Sequence, residues 1–404
     1  MDVTLNPFAP EFQEDPYPTY RQLRESAPVY PAHFMGFRFV VLTRYEDVAA
    51  ALRDPRLSAA AVPRQLLPRE LSEGNLFYKD PPDHTRLRGL LTRAFTARAS
   101  ESLRPRVQAI AAALLDACVG RSEIDVVRDY AAPLSLQVIT EVLGAPLSDC
   151  AQLKEWSDAL AVLLDGTRLL SGLLQAQVAA AAFIAYLREL LERKRRQHGP
   201  DLISALLCAR EVDDVLSEDE LIATSLFTFI AGHETVTNLV GNGTLALLQQ
   251  PQVLQQLRDD LTLLPAAVEE LLRFDPPGQL LMKLATVPMR IGDQDVAPGE
   301  GVCAVMAAAN RDPACFPDPD RLDLRRAESR HLAFGGGVHY CLGAALARVE
   351  CQVAFGALLQ RTGGLQLALG AVERQPGVVL RGLRGLRLQL GAPLPRGADP
   401  LSSR

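Results

Sequence analysis

Apolar residues recur at three- and four-residue intervals over much of the chain. Leu103, Val107, Ile110, Leu114 and Cys118 share one helix face, as do Leu136, Ile139 and Leu143, and the same spacing runs through 183–191 and 221–248. Strand-like pieces are short: Val29-Tyr30 with Phe37 to Leu42 reads as a hairpin, and Arg290 to Val296 as another. Between Asn310 and Arg330, Asp-Pro and Pro-Asp pairs crowd into turn-rich, irregular chain. With no internal repeat and no low-complexity linker, the pattern predicts a mainly α fold with small peripheral β-sheets. It reads as one domain over residues 1–404, loose only in the tail from Pro393.

Composition narrows the class. A chain of 404 residues that is 48% hydrophobic buries a sizeable core, which excludes disorder for most of it. Its seven cysteines are odd in number and irregularly spaced, so the pattern argues against a disulfide framework and for a reducing cytoplasm. Net charge is −6, and the basic run within Glu192 to Arg196 reads as a solvated helix end, so no nucleic-acid partner is expected. The start, Met1 to Phe8, has no cationic segment followed by an apolar run. The most apolar stretch, Leu173 to Leu187, is interrupted by Gln175 and Gln177, so a soluble protein with no membrane span is expected.

The candidate chemistry centres on Cys341, within Phe334-Gly-Gly-Gly-Val-His-Tyr-Cys-Leu-Gly343 and just before the helix-favouring Ala344 to Arg348. A thiol at a helix start receives backbone N–H groups and the positive end of the dipole, which favour thiolate, a metal ligand. One sulfur does not close a four-ligand zinc site, and His331, His339, Cys341 and Cys351 lack the short spacing of such sites. It suffices as the axial ligand of a haem iron. Gly335 and its neighbours then let the backbone pass close to a flat macrocycle. Cys118, Cys150, Cys208, Cys303, Cys315 and Cys351 have no comparable setting and read as buried apolar residues. The segment resembles the haem-binding loop of the cytochrome P-450 family, Phe-x-x-Gly-x-x-x-Cys-x-Gly, through Phe334, Gly337, Cys341 and Gly343.

A second constellation breaks a local rule: Ala231-Gly-His-Glu-Thr235 places glycine, a carboxylate and a hydroxyl inside an apolar helix. The Thr235 hydroxyl is placed to bond the carbonyl of Ala231, and Gly232 lowers the cost of a bend that would open a notch. The stretch is similar to the family's central helix over the distal haem face, through Ala231, Gly232, Glu234 and Thr235, with Val236 where another hydroxyl is frequent. The resemblance implies that Thr235 holds bound dioxygen and steadies its protonation while Glu234 relays protons from solvent. Nearby, Gly241-Asn-Gly243-Thr-Leu-Ala246 fits a dinucleotide pattern, but a helix rather than a strand precedes it, so that reading is set aside.

The same resemblance assigns supporting residues. Glu270 and Arg273 form the family's Glu-x-x-Arg pair, with Arg321 matching the arginine that joins it, a structural brace for the cysteine loop. His84, Arg88 and His339 match residues that bind the haem propionates. Lys283 replaces an arginine that usually completes this clamp and offers one ammonium instead of a planar fork. The implied protein is a haem-thiolate monooxygenase carrying haem b, using O2, and fed by a separate ferredoxin or flavodoxin with its reductase, acting as a monomer. Arg86, Arg93 and Arg348 are candidate docking residues for that partner. Pocket segments by resemblance are Ala60 to Phe77, Leu160 to Ala182, Leu280 to Met282 and Val378 to Leu380. Their aliphatic character points to a terpenoid, steroid, fatty acid or polyketide, with C–H hydroxylation as the expected reaction. The rivals are a peroxide-driven peroxygenase, against which the intact Glu234-Thr235 pair argues, and a non-catalytic haem or carrier-recruiting module.

Overall fold

The computed structural model describes residues 5–34, 36–63, 72–92, 94–165, 169–213, 216–326 and 329–391. Arg93, positions 64–71 and 166–168 of the expected pocket segments, and the tail from Pro393 lie outside them.

Helices dominate. Those that frame the site are α1 (Tyr45–Arg53), α2 (Asp83–Thr92), α3 (Arg104–Asp116), α4 (Ala132–Leu143), α5 (Cys150–Asp165), α6 (Leu169–Arg196), α7 (Glu218–Leu248), α8 (Leu264–Phe274) and α9 (Ala344–Arg361). Helix α7 begins with a reciprocal cap: Ser217 Oγ accepts from Glu220 N at 3.1 Å while Glu220 Oε2 accepts from Ser217 N at 3.0 Å. Glu218, Asp219 and Glu220 place negative charge at the positive end of its dipole. From Leu221 to Leu247 every residue of α7 is buried except Phe227, Thr228, Ala231, Gly232, Glu234 and Thr235, because α4, α6, α9 and the strand Gly382–Leu390 pack around it.

The strands form small sheets at the margin. A five-stranded sheet runs in the order β1 (Val29–Phe34), β2 (Phe37–Leu42), β8 (Gly301–Ala304), β5 (Leu281–Ala285) and β3 (Leu57–Ser58). Within it β2 and β8 are parallel and the other pairs antiparallel. The expected first hairpin is present in register Val29↔Leu42, and the second as β6 (Met289–Ile291) and β7 (Gln294–Val296). A three-stranded sheet joins β4 (Glu123–Asp125) to β10 (Gly382–Leu390) and β9 (Leu365–Gln375). The main apolar core gathers α2 to α9 with β10, and a smaller one fills the space between α1 and the five-stranded sheet.

Two glycines are explained by contact. A Cβ on Gly243 would come within 2.6 Å of Phe355 Cζ, so this position is where α7 crosses α9. The Gly-x-Gly pattern is thus a seam between helices in mid-helix, with no strand before it. A Cβ on Gly232 would lie 2.6 Å from Ile139 Cδ1. The chain stays α-helical through this stretch, so the glycine expected to ease a bend instead lets the α4 side chain press against the α7 backbone.

Candidate active site

The cysteine loop is built from its backbone. Cys341 N donates to Phe334 O at 2.8 Å and Gly335 N to Leu332 O at 2.8 Å. Gly335 and Gly337 hold φ of 73° and 63°, which a side chain would strain, and a Cβ on Gly337 would strike the Leu52 carbonyl at 2.7 Å. Gly343 caps α9. Burial pushes the Cys341 thiol above its ordinary value, while backbone N–H groups of Gly343 and Ala344 and the charges of Arg88 and Arg348 pull it down. Helix-start donors do reach the sulfur as expected, yet they do not overcome desolvation in the protein alone. A bound metal would supply the missing charge stabilisation.

Beside the loop lies a dense group of nitrogen donors. The rings of His84, from α2, and His339 are 4.4 Å apart at their centroids. Both His84 nitrogens and His339 Nε2 are buried and have no hydrogen-bond partner among the described residues. Desolvation lowers both histidines, His339 to about 4, and each also feels the other cations of the group, Arg88 and Lys283. Lys283 is buried, donates to Leu52 O at 3.1 Å, and is lowered by desolvation with partial relief from Asp80 and Asp54. Buried donors without acceptors are costly unless an anion satisfies them. Their clustering therefore fits a carboxylate-bearing cofactor whose iron is reached by Cys341. Asp80 belongs to this group too and is anchored by Ala59 N at 3.0 Å and by Ser58 Oγ.

On α7, Thr235 Oγ1 donates to Ala231 O at 2.7 Å, the back-bond expected from their spacing. Glu234 accepts from Gln375 Nε2 at 3.2 Å, a partner on β9 that no local pattern reveals. A hydroxyl pair, Ser135 Oγ and Thr237 Oγ1 at 2.8 Å, lies behind the motif, and Ser135 also reaches His233 O at 3.0 Å. Phe77 stacks on Phe227 of α7 at 5.4 Å and stands 6.4 Å from His339, linking the α7 wall to the cysteine loop.

The brace differs from expectation in one member. Glu270 holds Arg273 by two bonds of 2.7 and 2.8 Å, both residues fully buried, and the second arginine is Arg326, at 3.1 and 3.2 Å. Arg321 contributes its carbonyl, which accepts from Arg273 at 3.2 Å, while its side chain is exposed. Asp323 N, donating to Glu270 Oε1 at 2.9 Å, turns the chain so that position 326, not 321, faces the carboxylate. The proposed docking arginines are also engaged within the chain: Arg86 with Glu220 at 2.5 Å and Arg348 with Glu269 at 2.6 Å.

Comparison with known proteins agrees with this geometry. The family model described as Cytochrome P450 matches residues 6–362. Cytochrome P450 107B1 of Saccharopolyspora erythraea is 40% identical over 401 residues, covering 95% of this chain and 97% of the relative. Vitamin D(3) 25-hydroxylase of Pseudonocardia autotrophica is 39% identical, covering 97% of each. The crystal structure of P450BioI in complex with an acyl carrier protein ligated to hexadec-9Z-enoic acid superposes with a TM-score of 0.88 at 38% identity, covering 94% of this chain and 99% of that one. No helix among the described residues is long and apolar enough to cross a membrane.

Proposed function

The chain belongs to the cytochrome P450 family, a haem-thiolate monooxygenase that uses O2, a redox partner and a small-molecule substrate, and we propose that it hydroxylates C–H bonds of a hydrophobic guest. The observation that carries the substrate reading is the aromatic contact of Phe77 with Phe227, which joins the α7 wall to His339 through apolar surface. Terpenoids, steroids, fatty acids and polyketides share the required chemistry: large apolar area and few polar anchors. Relatives named for vitamin D3 and for a fatty-acyl carrier complex support that range.

When bound, the thiolate-ligated haem supplies an oxidant able to insert one oxygen atom into an unactivated C–H bond. The residues of the chain do the rest. Cys341 would supply the thiolate that holds the iron; His84, His339 and Arg88 would hold the propionates, and Lys283 would add a single positive charge to the same cluster. Phe334, Gly335 and Gly343 would shape the loop against the macrocycle and Ala231 would keep the opposite wall low, while Gly232, expected there too, packs against Ile139 of α4 instead. Thr235 keeps its hydroxyl proton on the Ala231 carbonyl until a better acceptor arrives, which makes Oγ1 a poised donor. Glu234, steadied by Gln375, passes protons towards it. Electrons come from a separate ferredoxin or flavodoxin with its reductase, and the whole chain serves as one monomeric, cytoplasmic catalytic domain.

A panel of terpenes, steroids, fatty acids and macrolactones, supplied with a ferredoxin and reductase, tests the proposal. The expected result is a type of guest that perturbs the haem spectrum and is recovered with one added oxygen. Turnover with hydrogen peroxide alone, and none with any electron donor, would replace this reading by the peroxygenase one.

A further inference from the structure

Glu269 and Glu270 are neighbours on α8, and successive helical residues point roughly 100° apart, so the two carboxylates serve different networks. Glu270 belongs to the brace. Glu269 faces the cysteine loop, where Arg348 of α9 grips it with Nε at 2.6 Å and Nη2 at 2.9 Å, a two-point fork. His331 approaches the same carboxylate with Nε2 at 3.1 Å, and its Nδ1 accepts from Ala333 N at 3.2 Å, which places the ring proton on Nε2. Both partners also touch Phe334: the Arg348 guanidinium carbon lies 4.5 Å above the ring, and the His331 ring is 5.8 Å away. Phe334 in turn accepts the Cys341 N–H. Together these links fix the residue from which the sulfur-bearing backbone hangs.

We propose that Arg348, Glu269 and His331 form a positioning clamp on Phe334 that sets the hydrogen bonding, and hence the donor strength, of the Cys341 sulfur. Arg348 is therefore a tuning residue of the axial ligand and not a docking residue. Hydrogen bonds and fixed charges around a ligating sulfur govern its potential, so a loosened clamp is felt there first. The inference rests on Cys341 ligation, which the thiolate-type carbon monoxide band of the unaltered holoenzyme tests separately.

The experiment is spectroelectrochemistry of the holoenzyme variants Arg348→Ala, Arg348→Lys, Glu269→Gln and His331→Phe, with haem content measured alongside. The expected result is that all four shift the midpoint potential and the ferrous carbon monoxide band in the same direction. Arg348→Lys should shift them despite its retained charge, because it loses the fork and the flat stack, and the Arg348→Ala/Glu269→Gln double variant should move them little further than either single one. If Arg348→Ala does not retain haem, the near-isosteric Glu269→Gln decides. The proposal is overturned if the potentials stay unchanged while Arg348→Ala alone raises the apparent KM for the electron-donor protein.

Discussion

Ile139 of α4 presses its Cδ1 to within 2.6 Å of where a side chain on Gly232 would begin, so the backbone of the central helix is itself a packing surface at the Ala231–Thr235 motif. Gly232→Val is expected to cost roughly 1–3 kcal/mol by overpacking, seen as a lower thermal midpoint. Ile139→Ala in the same chain should return part of that loss, because it empties the space the valine needs. Failure of the second substitution to compensate would show that the glycine serves the helix bend after all.

Thr235 and Glu234 should separate stability from chemistry. Thr235→Ala removes a back-bond that helices easily spare, so the thermal midpoint should barely move. The fraction of electrons recovered in product should fall several-fold, on the order of a tenfold loss for a positioned proton donor, with peroxide released instead. Gln375→Leu should give a weaker loss of the same kind, since it removes one partner of the Glu234 carboxylate and leaves the acid in place.

The brace offers a direct comparison of two arginines. Glu270→Ala strands the fully buried Arg273 and should cost about 3–5 kcal/mol in chemical denaturation. Arg326→Ala should also be clearly destabilising, whereas Arg321→Ala, an exposed side chain, should stay within about 0.5 kcal/mol. Equal losses at positions 321 and 326 would contradict the assignment.

The histidine pair should govern cofactor retention. Replacing His84 or His339 with Phe keeps the ring contact but removes the donors, and haem transfer to an excess of an apo-globin acceptor should speed up by roughly tenfold, the equivalent of one lost charge-assisted hydrogen bond. Lys283→Met should have a smaller effect if its ammonium contributes mainly charge.

Glu350, inside α9, is buried with Oε2 unpartnered among the described residues, and desolvation raises its carboxyl well above the free value of 4.5. The folded chain therefore keeps this proton when the unfolded chain has lost it, so stability declines as pH climbs above about 4.5 towards the raised value. Glu350→Gln removes the titration. Its stability relative to the unaltered chain should improve with pH by up to about 1.4 kcal/mol per unit in that window, measured by urea melts. A difference independent of pH would show that the carboxyl is already ionised in the fold.

What was legible in the sequence was whatever nearest neighbours along the chain enforce. The cysteine loop, the Thr235–Ala231 back-bond, both hairpins and the His84–Arg88 face all follow from offsets of a few residues. The third member of the brace was misplaced because 310–330 is irregular and has no period to say which arginine turns inward. Gln375 and Glu234 are 141 positions apart, and Ile139 meets Gly232 across two helices, so only the packed chain reveals them. The ion pairs of Arg86 and Arg348 were hidden for the same reason: their carboxylate partners are 134 and 79 positions away along the chain.

The contact between Gly243 and Phe355 joins the oxygen-side helix to the sulfur-side helix ring against backbone, with no intervening loop. Two halves of the proposed site that meet at one close helix crossing keep their separation when the segments that meet the guest change. Such a chain is free to exchange its substrate-facing loops and inherit new chemistry without resetting the reach between them.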